Sequence, residues 1–325
     1  MALSRSFVEA HIVRWETALS QSYHPYRTQW PRRLFHHAPI ENAVKILKDG
    51  NLRSRRDPNN TRSKDIAAAG VIDNRDHAHN FARLYFRPKT PTQYHIEGIR
   101  KPGDCKYGDE THAPVLIMLV FKARKVLVRE GVHICDRNMQ NHGAEMGNTE
   151  EYFSSIPFDK VYHEGATGHD RSITNHRCAE VLSLSPLPLE DTLECIYCRS
   201  AAERNTLLPL LGAYQQKWSK LVLVSNDLLL FQREFAFVED VALSEEGLFF
   251  QLNPRQDWDP VDIHVRILNE KKSEVLSIQN SELSPHSTMR WLFKKRLLNG
   301  IYLVEIKLEG HLAHKAFVSL DDNPF

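Results

Sequence analysis

The first two thirds of the chain alternate between helical and strand-like patterns of apolar residues. Apolar positions at three- and four-residue spacing predict amphipathic helices over Ser4–Leu19 and Pro39–Asp49, and Gly50 supplies the left-handed stop of the second. A further helix is predicted over Ser200–Leu211, and short apolar runs predict strands at Leu34–His36, Leu84–Phe86, Val115–Phe121, Lys160–Tyr162, Ala179–Leu184 and Leu193–Tyr197. This mixture predicts an α+β domain.

After Gly212 the pattern changes to short alternating segments separated by turn residues. They are Leu221–Val224, Leu228–Phe231, Phe235–Val238, Leu248–Leu252, Val261–Ile267, Val275–Ile278, Met289–Phe293, Ile301–Leu308 and Lys315–Leu320. Evenly spaced strands without a helix indicate an all-β sandwich of immunoglobulin-like type. We therefore predict three parts: an N-terminal helical segment at 1–30, an α+β domain at 31–214 and a sandwich domain at 218–325.

Composition agrees with a globular protein of about two domains. The 325 residues are 42% hydrophobic and 26% charged. The longest plain apolar run, Val115–Phe121, is too short to cross a bilayer, and the first residues lack the apolar stretch of a signal peptide. Five cysteines without an export signal fit reduced thiols. We expect a cytoplasmic protein with no membrane partner.

Charge is distributed unevenly along the chain. The net charge is only +1, but residues 1–106 carry 19 basic and 10 acidic side chains. A local basic excess fits a surface that meets phosphates, although a solvated basic face is the commoner explanation. The irregular, basic stretch from Asn51 to Asn80 has the length of a functional loop.

Three features are candidates for chemistry. Glu180 interrupts an apolar segment, and a buried carboxylate is costly unless it is paired or functional; a strand-edge glutamate facing solvent is the alternative. His36 and His37 precede the second predicted helix, where a histidine can equally be a core residue. Arg75 ends the basic loop. Nucleotide-binding glycine motifs, zinc-protease motifs and serine-hydrolase elbows are absent from the sequence, and we expect no metal.

Four sequence blocks follow one another along the chain: Phe35–Asn42 with Ile46-Leu47 and Gly50-Asn51-Leu52, then Ile66 with Arg75 nine residues later, then Ala82–Tyr94, and finally Arg177–Leu182. Together and in this order, they resemble the DarT family of NAD-dependent ADP-ribosyltransferases, toxins that modify nucleic-acid bases. They resemble the family's H-x-T-H-I-x-N-L opening, its catalytic arginine, its aromatic strand and turn, and its R-Q-A-E-F-L segment with the catalytic glutamate. The resemblance covers roughly residues 34–200.

The resemblance implies an ADP-ribosyltransferase-like split β-sandwich core with helices, and NAD as substrate. Transfer of ADP-ribose breaks the bond between nicotinamide and ribose through a transition state with positive charge on the ribose. Glu180 would hold a ribose hydroxyl and stabilise that charge, and it could take the proton from the attacking base. Arg75 would bind phosphate or nucleobase. These two residues are the predicted catalytic pair.

The same resemblance implies further contacts. Residues expected to bind NAD are His36, Asn42, Gly50, Leu52 and Tyr85. Attack on a base requires an unstacked strand, so we expect single-stranded nucleic acid to be the target. Residues expected to contact it through charge or stacking are Arg53, Arg55, Arg56, Arg62, Lys89, Tyr152, Phe153, His163 and Arg171.

Differences from the family pattern affect the prediction of which nucleic acid is modified. Ala38 and Pro39 replace the family's threonine and second histidine, and the stretch between Arg75 and Tyr85 is shorter than in DNA-modifying members. The family includes modifiers of single-stranded DNA and a modifier of messenger RNA in phage defence. The sequence favours RNA slightly, with DNA as the alternative.

Two other functions stay open at this point. One is an ADP-ribosyltransferase that modifies protein. The other is a degenerate, non-catalytic binding module, which the replacements at Ala38 and Pro39 favour. If the chain is a toxin, we expect an antitoxin, a chaperone or both as protein partners.

Overall fold

The structure is a computed structural model that describes residues 2–61, 79–101, 103–108, 111–139, 141, 143–253, 260–284 and 290–320. It divides the chain into two compact units. The first unit comprises Met1–His95, Met118–Tyr197 and Asn226–Gln232, and the second comprises Ile96–Ile117, Cys198–Ser225 and Arg233–Phe325. Neither unit is one continuous stretch of sequence.

The helices of the described residues are short apart from three. They are α1 (Arg5–Ser20), α2 (Ile40–Asp49), α3 (Pro91–Ile96), α4 (Ala123–Val126), α5 (Glu150–Ser155), α6 (Phe158–Val161), α7 (Ser172–His176), α8 (Ala201–Leu210) and α9 (Gln215–Trp218). The predicted helices over Ser4–Leu19, Pro39–Asp49 and Ser200–Leu211 are confirmed as α1, α2 and α8.

The strands fall into two sets along the chain. The first set is β1 (Arg33–Pro39), β2 (Asn51–Leu52), β3 (Phe81–Tyr85), β4 (Leu116–Lys122), β5 (His133–Cys135), β6 (Met146–Gly147), β7 (Glu180–Leu184), β8 (Leu187–Pro188), β9 (Leu193–Cys198) and β10 (Val222–Val224). The second set is β11 (Val238–Ser244), β12 (Gly247–Leu252), β13 (Val261–Leu268), β14 (Glu274–Leu283), β15 (Trp291–Lys294), β16 (Gly300–Leu308) and β17 (His311–Leu320).

A sheet with the strand order β9-β4-β1-β3-β7-β5-β6 forms the centre of the first unit. Strand β4 is buried along almost its whole length, as its unbroken apolar run requires. The antiparallel register sets Phe35 opposite Tyr85, and Tyr85 opposite Glu180. Strands β1, β3 and β7 therefore hold three segments that are far apart in sequence side by side.

An aromatic cluster packs α1 against the segment of α5 and α6. Phe153 and Phe158 lie at its centre, with ring centroids 5.0 Å apart, and Phe153 also contacts Phe7 and Phe86 edge to face. Burial of several aromatic side chains contributes strongly to stability. This cluster fixes the chain immediately before the loop that leads to Glu180.

The strand predicted at Lys160–Tyr162 is wrong. These residues belong to α6 and its end, where the Tyr162 amide donates to the carbonyl of Phe158 at 2.9 Å. Pro157 precedes the helix as its N-cap, and Phe158, Val161 and Tyr162 are buried together at helical spacing. A single helical turn is too short for its period to be distinguished from strand alternation in the sequence.

Two antiparallel sheets share one hydrophobic core in the second unit. Their orders are β11-β12-β15 and β14-β13-β16-β17. Strand β13 alternates strictly between buried and partly buried residues, with Val265 and Ile267 in the same core as Leu248 and Phe250 of β12. The alternation predicted from sequence after Gly212 thus forms two facing layers.

Two of the predicted strands in this region are wrong. Leu228–Phe231 is irregular, and Leu230 accepts a hydrogen bond at its carbonyl from Gln93 Nε2 at 2.9 Å. At Phe235–Val238 only the last residue is in a strand, because the Asn253 amide accepts from the Phe237 N–H and donates to the Phe235 carbonyl. In the second segment, Ala236 forms only a single antiparallel bridge with Ile99, and Val238 begins β11.

No helix among the described residues is long and apolar enough to cross a membrane. The five cysteines all lie within the described ranges, are buried, and take part in no disulfide.

Gly50 allows a test of the end of α2. It adopts φ of 72° as the C-cap, and an added Cβ would meet no atom within 4 Å. Gly50→Ala should therefore cost only the left-handed backbone conformation, about 1 kcal/mol in the free energy of unfolding. Gly50→Asn should cost less, since asparagine tolerates this region. Denaturant unfolding of both variants measures the difference, and equal losses would contradict this account.

Candidate active site

Glu180 is the first residue of β7, and its side chain is fully buried. Carboxylate Oε2 accepts a hydrogen bond from the Met139 backbone N–H at 2.9 Å. The other oxygen, Oε1, has no hydrogen-bond partner among the described residues, and its nearest cation is Arg83, whose Nη1 lies 3.8 Å away. Unsatisfied buried carboxylate oxygens are rare in folded proteins, so Oε1 is available to accept from a ligand.

The protonation of Glu180 reflects two opposed effects. Burial raises the pKa of the carboxyl above its ordinary value of 4.5, whereas Arg83, the Met139 N–H and the Tyr85 hydroxyl stabilise the anion and lower it. Burial is the largest of these effects. The groups that the described residues place around this carboxylate therefore do not offset its burial, as expected where a partly cationic substrate completes the environment.

Tyr85 lies opposite Glu180 in the register of β3 and β7, and its ring stacks on His37 with centroids 5.1 Å apart and planes 5° from parallel. Burial and the neighbouring Glu180 carboxylate raise the pKa of Tyr85, so the phenol stays protonated and can donate. Burial lowers the pKa of His37 to about 3, so its ring is neutral. His37 was not among the predicted site residues.

His36 is partly buried on β1, and its Nδ1 lies 2.9 Å from the Arg83 carbonyl. Because a carbonyl only accepts, Nδ1 carries the proton in this contact, which leaves Nε2 as an acceptor in the neutral ring. Burial lowers the pKa of His36. The structure thus brings His36, Tyr85 and Glu180 onto adjoining strands, although they are separated by up to 144 positions in sequence.

Arg83 is the residue of this group that the sequence did not predict as a site residue. It shares a face of β3 with Tyr85, two positions away, and Tyr85 is paired with Glu180. Its guanidinium is the only cation that the described residues bring within 4 Å of the Glu180 carboxylate. The two-residue spacing from Tyr85 is the signal in the sequence that could have identified it.

Asn42, Gly50 and Leu52 lie along α2 and the strand that follows it. Asn42 is partly exposed on α2, Gly50 ends that helix, and buried Leu52 pairs with Leu187 in the small sheet of β2 and β8. The Gly50 carbonyl accepts from the Leu189 N–H at 2.9 Å, which fixes the turn.

The basic segment after β2 lies at the far end of β7. Its Ser54 N–H donates to Ser185 Oγ at 3.0 Å, and Ser185 is five residues beyond Glu180, roughly 16 Å along an extended chain. Arg53 is paired with both Asp49 and Asp57, with N–O distances of 2.7 and 3.1 Å. Those carboxylates already balance its charge, which weakens the case for a phosphate contact there.

The remaining predicted contacts lie in different environments. Arg55 and Lys89 are partly exposed, and Arg56 and Arg171 are exposed. The Tyr152 hydroxyl donates to the Glu145 carbonyl at 2.6 Å, and its ring covers Gly147. Phe153 is only 1% exposed within the aromatic cluster, so it presents no open ring face to a base. His163 is partly exposed and contacts Arg177.

Arg75 and Arg62, the predicted catalytic arginine and one predicted nucleic-acid contact, lie outside the described residues, as does Ile66. In the rest of the chain, no group of three or more His, Cys, Asp or Glu side chains is arranged to hold a metal ion.

Comparison with known families matches residues 35–229 to the family model described as "ssDNA thymidine ADP-ribosyltransferase, DarT". That match covers more than half of the chain. The protein belongs to the DarT family. Comparison with curated proteins finds no similar sequence.

Solved structures of DarT proteins resemble the chain at low sequence identity. Thermus sp. 2.9 DarT in complex with ADP-ribosylated ssDNA has 18% identity and a TM-score of 0.50, over 61% of this chain and 96% of that one. Thermus sp. 2.9 DarT in complex with NAD+ has 19% identity and a TM-score of 0.45, over 61% and 97%. Thermosipho africanus DarTG in complex with ADP-ribose has 17% identity and a TM-score of 0.44, over 65% and 53%.

Family membership confirms three of the predictions. The fold is the DarT-like ADP-ribosyltransferase fold with mixed α/β content, the enzyme class is NAD-dependent ADP-ribosyltransferase, and NAD is the substrate that donates ADP-ribose. Glu180 Oε1, which has no hydrogen-bond partner among the described residues, can accept from a hydroxyl group. The family description names single-stranded DNA, which favours DNA over the RNA that the sequence slightly favoured.

A buried carboxylate with a raised pKa makes stability depend on pH in a defined direction. Above the ordinary value of 4.5 the folded protein retains a proton that the unfolded chain has released, so Glu180 lowers stability as pH rises through the raised pKa. Glu180→Gln removes this effect. We expect the variant to have a higher free energy of unfolding than the parent at pH 8, with the difference shrinking as pH approaches 4.5.

Denaturant titrations of parent and variant between pH 4.5 and 8 measure this difference. Exposed Glu151 is the matched control, and Glu151→Gln should change stability by less than about 0.5 kcal/mol at every pH. A Glu180→Gln variant that is less stable than the parent at pH 8 would mean that the carboxylate is well compensated inside the fold.

Proposed function

We propose that this protein is a toxin that transfers ADP-ribose from NAD to thymine bases in single-stranded DNA, with Glu180 as its catalytic carboxylate. The observation that carries the proposal is the fully buried Glu180 side chain between Tyr85 and Arg83, with one oxygen that receives no hydrogen bond from the described part of the chain. The family description supports the choice of target.

Glu180 would act on the ribose of NAD and on the attacking base. Its Oε1 accepts from a hydroxyl of the nicotinamide ribose, and its negative charge stabilises the positive charge that develops on that ribose as nicotinamide leaves. The raised pKa also suits the carboxylate to take the proton released by the attacking base nitrogen. Met139 N–H holds the other oxygen and fixes the orientation of the carboxylate.

The surrounding residues would bind and orient NAD. His36 presents Nε2 as an acceptor to a ribose hydroxyl or the nicotinamide amide, and Tyr85 closes the nicotinamide side of the pocket with its ring supported by His37. Asn42, Gly50 and Leu52 are proposed to form part of the dinucleotide cradle. Arg75 is proposed to bind phosphate or base, as the family resemblance implies.

The DNA strand would contact basic and aromatic residues around the same sheet. We retain Arg55, Arg56, Arg62, Lys89, Tyr152, His163 and Arg171 as proposed contacts, and we give less weight to two others. Arg53 is neutralised by two aspartates, and the ring of Phe153 is enclosed by other aromatic side chains. A target base must leave the stack to be attacked, which favours a single strand.

The protein partners, the biological role, the location and the domain bounds expected from the sequence are also proposals. An antitoxin is expected because an enzyme that modifies bases harms its own cell, whereas a chaperone, a role in phage defence and a cytoplasmic location rest on the sequence alone. The domain bounds 1–30, 31–214 and 218–325 are likewise retained as proposals.

We also propose that residues 218–325 form an immunoglobulin-like sandwich. Counted in chain order from β11, the first, second and fifth strands make one sheet and the third, fourth, sixth and seventh make the other. This is the strand partition of an immunoglobulin constant-type domain, except that the fourth strand, β14, lies beside the third instead of the fifth.

The central test is transfer of label from NAD to polymers by parent and Glu180→Gln enzymes. We expect label in single-stranded DNA, and a rate at least about a hundredfold lower in Glu180→Gln because the charge stabiliser is lost. Glu151→Gln is the matched control and should keep the parent rate. Full activity in Glu180→Gln would remove the catalytic assignment.

Parallel reactions with RNA and with cell protein separate the other two targets. Label in RNA but not DNA would restore the messenger-RNA hypothesis, and label only in protein would support a protein-directed enzyme. No turnover with any polymer would favour a degenerate binding module.

The base is tested with matched oligonucleotides. Single-stranded oligonucleotides with one thymine should be modified, and the same sequences with cytosine in its place should not. Nucleoside mass spectrometry identifies the adduct. Equal modification of both sequences would contradict the proposed thymine specificity.

A further inference from the structure

Three arginines of the first unit, Arg27, Arg87 and Arg177, form a cluster with more positive than negative charge. Arg177 interacts electrostatically with both Arg27 and Arg87, and the only carboxylate that acts on all three is Glu164. Glu164 pairs with Arg87, with Nη2 and Oε2 2.6 Å apart. Among the described residues, three guanidinium groups therefore face a single carboxylate.

Burial makes this imbalance significant. Arg87 is 2% exposed and Arg27 is 8% exposed. Burial lowers the pKa of Arg87 to about 10, but all three groups remain charged at neutral pH. Buried charges are normally paired, because an unpaired ion loses its hydration without compensation. The cluster therefore has the electrostatic character of an anion site.

Arg27 and Arg87 are occupied by groups of the protein. Arg27 donates to the carbonyls of His24 and Tyr162 and to the Ser22 hydroxyl. Arg87 donates to the carbonyls of Pro88 and His163 and to Glu164. These bonds hold the two guanidinium groups in place, and apart from Glu164 their acceptors are uncharged.

Arg177 is the member that retains capacity to donate. Its Nη2 contacts His163 Nδ1 at 2.7 Å and the Gly165 carbonyl. Its Nε is buried and has no hydrogen-bond partner among the described residues. A buried N–H of a charged group without an acceptor implies that a ligand supplies one.

His163 adds a second donor. Guanidinium groups only donate, so the Nδ1 that contacts Arg177 must accept, and the proton of the neutral ring is on Nε2. Burial and the three arginines lower the pKa of His163, which keeps the ring neutral. The ring is partly exposed, so Nε2–H can reach a ligand.

We propose that Arg177 and His163 bind a phosphate group of a substrate, and that the charges of Arg27 and Arg87 strengthen this binding. A phosphate oxygen accepts hydrogen bonds from guanidinium and imidazole N–H groups, and its negative charge balances the cluster. Arg177 is three residues before Glu180, so the site adjoins the catalytic strand. The choice of ligand rests on the proposed function, in which the phosphate belongs to the DNA backbone or to NAD.

The kinetic test replaces Arg177 with glutamine. We expect the KM for a thymine-containing oligonucleotide to rise about tenfold or more, with kcat within about threefold of the parent. If NAD supplies the phosphate, its KM rises instead. Arg5→Gln is the matched control, because Arg5 is exposed and has no part in the proposed site. Unchanged KM values for both substrates would overturn the proposal.

The Arg177→Lys variant distinguishes a loss of phosphate binding from a loss of folding. Lysine keeps the positive charge but lacks the planar fork, so we expect a smaller rise in the same KM. Thermal unfolding of both variants should follow the parent closely. A lysine variant as impaired as the glutamine variant, with an equal loss of stability in both, would indicate a structural role.

A binding measurement makes the site testable without turnover. In the Glu180→Gln background, anisotropy of a labelled 12-nucleotide single strand is measured over a range of salt. Loss of one phosphate contact should reduce the slope of log K against log salt by about 0.7 in Arg177→Gln and leave it unchanged in Arg5→Gln. If no polymer is labelled in the activity assay, a reduced slope still supports the phosphate site while the proposed function fails.

Discussion

The site depends on the position of one carboxylate in the interior of a sheet. Glu180 lies at the start of β7 and is fully buried; a backbone N–H binds one oxygen, and within the described ranges no donor binds the other. Leaving a carboxylate in this state destabilises the fold, because burial penalises the anion. A substrate that presents a hydroxyl and develops positive charge supplies what the protein leaves out. Burial of this carboxylate therefore lowers the stability of the fold, and under the proposed function the same burial suits Glu180 to its substrate.

Two neighbouring charged groups of the first unit lack hydrogen-bond partners in the part of the chain that the structure describes. The Glu180 carboxylate lacks a donor for one oxygen, and the Arg177 guanidinium lacks an acceptor for its Nε–H. An ADP-ribosyl donor and a nucleic-acid strand offer the complementary groups, namely ribose hydroxyls and phosphates. By contrast, Arg53 stands in a basic segment yet is fully paired with aspartates. Local charge partners, and not the number of basic residues, distinguish a binding group from a structural one.

Elements with strong local signals could be predicted from the sequence, and elements defined by distant contacts could not. The helix ended by Gly50 and the apolar strand β4 were predicted correctly because their periods and stop signals are local. Leu228–Phe231 was wrong because alternating burial arises there from contacts such as that of Gln93 with Leu230. Arg83 was missed for the same reason, and His37 was named as a candidate but given no role, since each matters only through a partner on another strand.

The sequence by itself determined the family and the all-β character of the C-terminal region, because motifs and hydrophobic periods are written along the chain. The tertiary structure decided which of the predicted site residues meet. Strand register places Tyr85 opposite Glu180, and packing encloses Phe153 in a core. The same packing leaves the Arg177 Nε–H without an acceptor among the described residues. Strand register and side-chain burial depend on segments separated by a hundred residues or more, and no local pattern encodes that pairing.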